Sequence, residues 1–141
     1  MIFSRRSFAA GFAAAALWPA AAFAKLDPRR KRFVDQAFAM KQAAIKSGDQ
    51  PYAAVVVLGD TIVGWGPSRV VAKKNDAAHA EREAMRDAQA RLGRSDLSDC
   101  AMYSTSPPCA ECRRVAATNR LGRMYAGIDA TDLGNPRKPV S

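Results

Sequence analysis

Apolar residues recur at helical spacing over positions 28–47: Phe33, Ala37, Met40 and Ala44, flanked by Val34, Phe38 and Ile45. This pattern predicts a helix with one broad apolar face, stopped by Gly48. The run YAAVVVL at 52–58 barely alternates, which predicts a strand buried on both faces. Gly59-Asp60 makes a tight turn, and TIVGWG at 61–66 returns as its antiparallel partner. A basic loop is expected over 67–75. Asp76 is a good N-cap for a helix of about 77–92, with Ala80, Ala84, Ala88 and Leu92 on its inner face and Gly93 at its end. CAMYS at 100–104 reads as a third strand. Ser106 would cap a further helix, with Pro107 at its first position, running to about Asn119. RMYAGI at 123–128 reads as a fourth strand. The final stretch, DATDLGNPRKPVS, holds Gly, Asn and two prolines and reads as a tail.

The resulting order is α-β-β-α-β-α-β. Strand–helix–strand units imply parallel pairing through right-handed crossovers, and the hairpin adds an antiparallel pair. The expected fold class is α/β: a mixed sheet with helices on both faces, in three α-β-α layers. One small domain over 25–127 is expected, followed by a tail at 128–141.

Residues 1–24, MIFSRRSFAAGFAAAALWPAAAFA, do not fit that domain. Arg5 and Arg6 form a charged start, Phe8 to Leu17 a short Ala-rich apolar segment, and Ala22-Phe23-Ala24 an A-x-A cleavage site. This is the layout of a bacterial export signal, too short and too weakly apolar to span a membrane stably. SRRSF resembles a twin-arginine signal, whose translocase exports folded proteins. The expected location is periplasmic or secreted, with a mature chain from about Lys25 that has no stable membrane span.

The net charge is +9, and two of those charges are Arg5 and Arg6. A basic balance permits nucleic acid, anionic lipid or acidic small molecules as partners and identifies none of them. The one dense run, RRKR at 29–32, opens the first helix and reads as a solvated positive face. The three cysteines, Cys100, Cys109 and Cys112, do not make the even framework of a disulfide-stapled exported domain. Cys100 lies in an apolar strand as a small hydrophobe. Cys109 and Cys112 form Cys-x-x-C, open to a redox or a metal-binding role.

His79 is the only histidine in the chain. It falls near the start of one predicted helix, and the cysteine pair near the start of the next. Both helices follow strands, so their N-termini should share one sheet edge, where open α/β sheets place their sites. The positive helix end should favour thiolate. One imidazole and two thiolates make a Cys2His set for Zn2+, leaving a fourth tetrahedral position open for an activated water. Glu81 points away from His79 around the helix and could overhang that water as a proton carrier. Such an arrangement suits hydrolytic removal of an amine from an aromatic ring.

His79-Ala80-Glu81 followed by Pro108-Cys109-Ala110-Glu111-Cys112 resembles the signature of zinc nucleobase deaminases, the cytidine/deoxycytidylate deaminase superfamily. PYAAVVVLGDTIVGWG, AHAEREAMRDA, MYSTSPPCAECRR and RMYAG are similar in texture to the branch that holds guanine deaminase and the tRNA adenosine deaminases. The resemblance implies His79, Cys109 and Cys112 as zinc ligands and Glu81 as proton shuttle. It also implies substrate contacts from the Ala80 amide, the Pro107 carbonyl and position 68, and a homo-oligomer, expected as a dimer. Three positions depart from that branch: Ser68 replaces a base-reading asparagine, Pro107 a glutamate and Glu111 a methionine. They leave the base open, purine or pyrimidine.

Three functions are compatible with these residues. The first is an exported zinc hydrolase that deaminates a free base, nucleoside or related heterocycle. The second is a zinc-stabilised binding domain without turnover. The third is a polynucleotide deaminase, which the positive charge allows and export disfavours. Trp65 and Tyr103 could line a base pocket, though strand aromatics belong more often to a core.

Overall fold

The computed structural model describes residues 26–138. The expected signal at 1–24 lies outside them, as do residues 139–141. Helix α1 spans Pro28–Lys46. The Asp27 carboxylate caps it by accepting from the Arg29 N–H, and Pro28 takes the first position, where no N–H is needed. Its buried stripe is Phe33, Val34, Ala37 and Ala44, while Ile45 faces solvent. The RRKR run is dispersed among separate partners. Arg29 pairs with Asp60, Arg30 lies over the Tyr125 ring, Lys31 pairs with Asp35, and Arg32 donates to the Asp60 carbonyl.

Strands β1 (Ala53–Leu58) and β2 (Thr61–Pro67) form the expected hairpin. A five-stranded sheet follows, with β3 at Cys100–Ser104, β4 at Arg123–Ala126 and β5 at Thr131–Gly134, in the order β2-β1-β3-β4-β5. β1 pairs antiparallel with β3, and β3 pairs parallel with β4. Helix α3 (Ala80–Leu92) and helix α4 (Ala110–Thr118) cover one face, and α1 covers the other. Alternate residues of β1 serve the two cores. Ala54 and Val56 join Ala84, Met85, Met102 and Met124 on the α3–α4 side, and Val55 and Val57 join Phe33, Val34 and Tyr103 under α1. This double burial explains the unbroken apolar run.

Four local expectations are corrected. The loop after β2 contains a short helix, α2 (Val70–Lys73), held by Asp49, whose carboxylate accepts from the Ala72 N–H at 2.9 Å. Helix α3 starts at Ala80 with His79 as N-cap, not after Asp76. Asn75 accepts from the Ala77 and Ala78 amides and so closes a separate turn before the helix begins at Ala80. Helix α4 starts at Ala110 with Cys109 as N-cap, not after Ser106. Each residue before a proline is held out of the α region, and the Pro107-Pro108 pair keeps this segment extended. Finally, the tail contains a fifth strand, β5 (Thr131–Gly134), antiparallel to β4. The chain turns through Gly127 and Ala130, both at positive φ, and Arg123 meets Asp132 across the pair at 2.6 Å.

Helix α3 lies unusually close to β2. A Cβ on Gly66 would sit 2.5 Å from Ala84 N, and one on Gly64 would sit 2.8 Å from Ala88 Cβ. Glycines on the strand facing alanines on the helix bring the two backbones together and fix the height of the α3 N-terminus above the sheet edge. Among the described residues, no helix is long and apolar enough to cross a membrane.

Candidate metal centre

His79 and Cys109 are the N-caps of α3 and α4, and Cys112 is the third residue of α4. The His79 carbonyl accepts the first helical bond of α3, from Glu83 N at 3.0 Å, and the Cys109 carbonyl accepts from Arg113 N at 3.0 Å. The Cys109 sulfur also accepts from the Cys112 N–H at 3.3 Å, a capping bond made by a thiol. Each ligand is thus held by the backbone geometry of a helix start.

The three side chains converge. His79 Nδ1 lies 3.7 Å from Cys109 Sγ and 3.4 Å from Cys112 Sγ, and all three ligand atoms lie within 4.8 Å of one another. Ligands at ordinary zinc–sulfur and zinc–nitrogen distances in a tetrahedron stand roughly 3.5 Å apart. The donor set and its spacing therefore fit Zn2+, bound through Nδ1 and two sulfurs. The burial of Cys112, and then the Glu81 charge beside it, push its thiol well above its ordinary range. A bound Zn2+ would oppose both effects and favour the thiolate. Cys100 is buried in β3, outside this cluster.

A cavity of about 180 Å³ opens beside the ligands, lined by Gln50, Tyr52, His79, Ala80, Glu81, Ser106 and Cys109. Glu81 is 6% exposed. Burial raises its carboxyl above the ordinary range, partly offset by its own backbone N–H, the His79 ring and the Cys112 thiol. Of the substrate contacts expected from sequence, Ala80 lines this cavity. Pro107 is exposed and outside the lining, which takes Ser106 from the same loop. Ser68 is buried at 3% exposure, and its hydroxyl donates to Asp49 Oδ1 at 2.9 Å. It does not line the cavity. Trp65 is absent from the lining as well, and Tyr103 packs under α1 between Phe33 and Tyr125.

Gln50, Tyr52 and Ser106 were not among the site residues expected from the sequence, which placed Ser106 only as a helix cap. Tyr52 precedes β1 at the site end of the sheet, where Ser68 N donates to its carbonyl at 3.0 Å and Thr105 N to that of Ala53 at 2.9 Å. These bonds bring the chain ends of β1, β2 and β3 to one edge, and Gln50 comes with them. Proximity of the Asp49–Tyr52 segment to His79 has no sequence signal, because it arises from strand pairing. A larger hollow of about 500 Å³, lined by residues including Arg30, Tyr103, Cys100 and Tyr125, opens at the opposite end of the strands, far from the ligands.

The profile of the cytidine and deoxycytidylate deaminase zinc-binding region matches residues 28–128. A tRNA-specific adenosine deaminase of Buchnera aphidicola subsp. Schizaphis graminum is 31% identical over 90 residues, 64% of this chain and 60% of that protein. The guanine deaminase of Bacillus subtilis is 32% identical over 82 residues, 58% of this chain and 53% of that enzyme. The crystal structure of guanine deaminase from Bacillus subtilis superposes with a TM-score of 0.67 at 28% identity, covering 69% of this chain and 62% of the other. The chain thus spans between half and two thirds of the length of these relatives.

Proposed function

The chain belongs to the cytidine and deoxycytidylate deaminase zinc-binding family, and on that premise we propose that it is a zinc-dependent hydrolytic deaminase of a free nucleobase, nucleoside or related amino-heterocycle. One observation carries the reading: a buried carboxyl, Glu81, borders one small cavity together with His79 and Cys109, whose ligand atoms cluster with that of Cys112. His79, Cys109 and Cys112 would hold the ion, which when bound supplies the Lewis acidity that makes a water nucleophilic near neutral pH.

Glu81 takes a proton from the attacking water and gives it to a ring nitrogen as the oxygen joins the amine-bearing carbon. The second proton of the water then moves to the exocyclic amine, and the carbon–nitrogen bond breaks to release ammonia. A carboxyl raised by burial suits both halves of this traffic, because it binds a proton more readily than an exposed one and still returns it.

The test is ammonia release by zinc-loaded protein over a panel of purine and pyrimidine bases and nucleosides, with Glu81→Gln beside it. We expect the variant to lose about a hundredfold or more while keeping its zinc. Turnover undiminished in Glu81→Gln removes the shuttle role. No turnover of any panel member by zinc-loaded wild type favours the zinc-stabilised binding domain.

A polynucleotide substrate is the second reading, supported by the likeness to a tRNA-specific adenosine deaminase. It requires RNA affinity that falls steeply with salt. Twin-arginine export and a homodimer belong to the same proposal. Replacing Arg5 and Arg6 by lysine should trap the precursor in the cytoplasm, which cell fractionation would read. An unchanged periplasmic yield counts against that route.

A further inference from the structure

We propose that Gln50 reads the substrate ring, through a cis-amide edge in which a ring N–H stands beside a ring carbonyl. The inference rests on the deaminase reading of the cavity and adds the chemical class of ring that it takes.

Three observations lead to it. First, position 68 is occupied structurally. The Ser68 hydroxyl donates to Asp49 Oδ1 at 2.9 Å, the residue is 3% exposed, and it does not line the cavity. Second, the roles of the other lining side chains are limited. His79 and Cys109 belong to the ligand set, Glu81 is assigned to proton transfer, Ala80 has no polar side-chain atom, and Tyr52 and Ser106 each offer a single hydroxyl. Gln50 alone among them presents a neutral donor and acceptor side by side. No bond from its carboxamide to another described residue accompanies the backbone bond it makes with Asp49.

Third, Gln50 is held in place from both sides. Its N–H donates to Asp49 Oδ1 at 2.8 Å, and its carbonyl accepts from Tyr52 N at 2.8 Å. Pro51 follows it, which restricts its own backbone to extended conformations. The same Asp49 carboxylate also accepts from the amides of α2 and from Ser68. One acidic residue therefore ties Ser68 away from the cavity and fixes the backbone of Gln50 at its wall. From this fixed backbone position the carboxamide donates its N–H to a ring carbonyl while its oxygen accepts from the neighbouring ring N–H, the same paired geometry by which amide side chains distinguish bases. A ring without a carbonyl forfeits one of the two bonds and leaves a polar group unpaired.

The test is equilibrium dialysis of the zinc-loaded chain against uracil and xanthine, which carry the edge and no amine to lose, and against purine, which has no carbonyl. Wild type, Gln50→Leu and Ser68→Ala are compared, with zinc content and circular dichroism recorded for each. Gln50→Leu is expected to weaken uracil or xanthine by roughly 5- to 150-fold and to leave purine within about twofold, with Ser68→Ala changing the lactam-to-purine ratio by less than about twofold. Equal loss for all three rings in Gln50→Leu, an unchanged ratio, or no lactam binding by wild type overturns the assignment. Ammonia assays on the same samples separate the two proposals. Activity with a Gln50-independent ratio removes this inference and leaves the deaminase, whereas Gln50-dependent binding without any turnover removes the deaminase and leaves this inference.

Discussion

His79 and Cys109 each do two jobs, since each is both a ligand and the residue that starts its helix. Asp76 and Ser106 are good caps by composition, yet turn formation around Asn75 and the double proline displaced both caps by three residues. Asp49 is the residue that composition hid most completely. Burial by itself would raise its carboxyl, but bonds from the Ala72 and Gln50 amides, the Ser68 hydroxyl and the Val71 amide prevail and hold it below the ordinary range. A depressed folded pKa means that the stability Asp49 confers is complete at neutral pH and fades as pH falls through about 4 and below. Asp49→Asn should therefore melt below wild type at pH 7, and the gap should close in thermal scans carried to about pH 3. A gap of constant size down to that pH would mean that the charge of Asp49 is not what holds the segment.

Among the elements, α3 and β2 set the position of the site. The inner stripe Ala80, Ala84 and Ala88 follows from helical spacing and is buried as expected. Its consequence, a backbone approach close enough to exclude a Cβ at Gly64 and Gly66, needs both elements at once. Gly66→Ala should cost about 1–3 kcal/mol through overpacking. Because Gly66 faces Ala80 and Ala84, next to His79, the variant should also bind zinc more weakly than an equally destabilised variant made at the far end of the sheet. Thermal melts paired with a zinc competition titration would show this, and zinc affinity that tracks stability alone would contradict it. The buried Glu83, bonded by Lys73 at 2.7 Å and by Arg86 at 2.6 Å, links α2 to α3. The basic loop is thereby folded against α3, outside the cavity lining.

For the whole molecule, the two cores on either side of the sheet are complete without a metal, and of the three ligands only Cys112 is fully buried. The ion should therefore clamp the α3 and α4 N-termini rather than create the fold. We expect about one zinc per chain. Chelation should lower the melting temperature and leave a cooperative transition, and Cys109→Ser should reproduce that drop without further response to chelator. Loss of all cooperative unfolding on chelation would show instead that the fold depends on zinc. The sequence by itself determined the α/β class, the hairpin, the buried first strand and the identity of the ligand set. Apolar period, turn residues and the rare His and Cys side chains are local signals that need no partner to be read. Tertiary structure decided where the helices begin, that β5 closes the sheet edge, that Ser68 turns to Asp49, and that Gln50 and Tyr52 stand at the metal cavity. The helix starts and β5 turn on short-range bonds around Asn75, the double proline and the β4–β5 turn that competed with equally good local signals, whereas the Ser68–Asp49 bond and the approach of Gln50 and Tyr52 to His79 join segments far apart in the chain, which no local pattern carries.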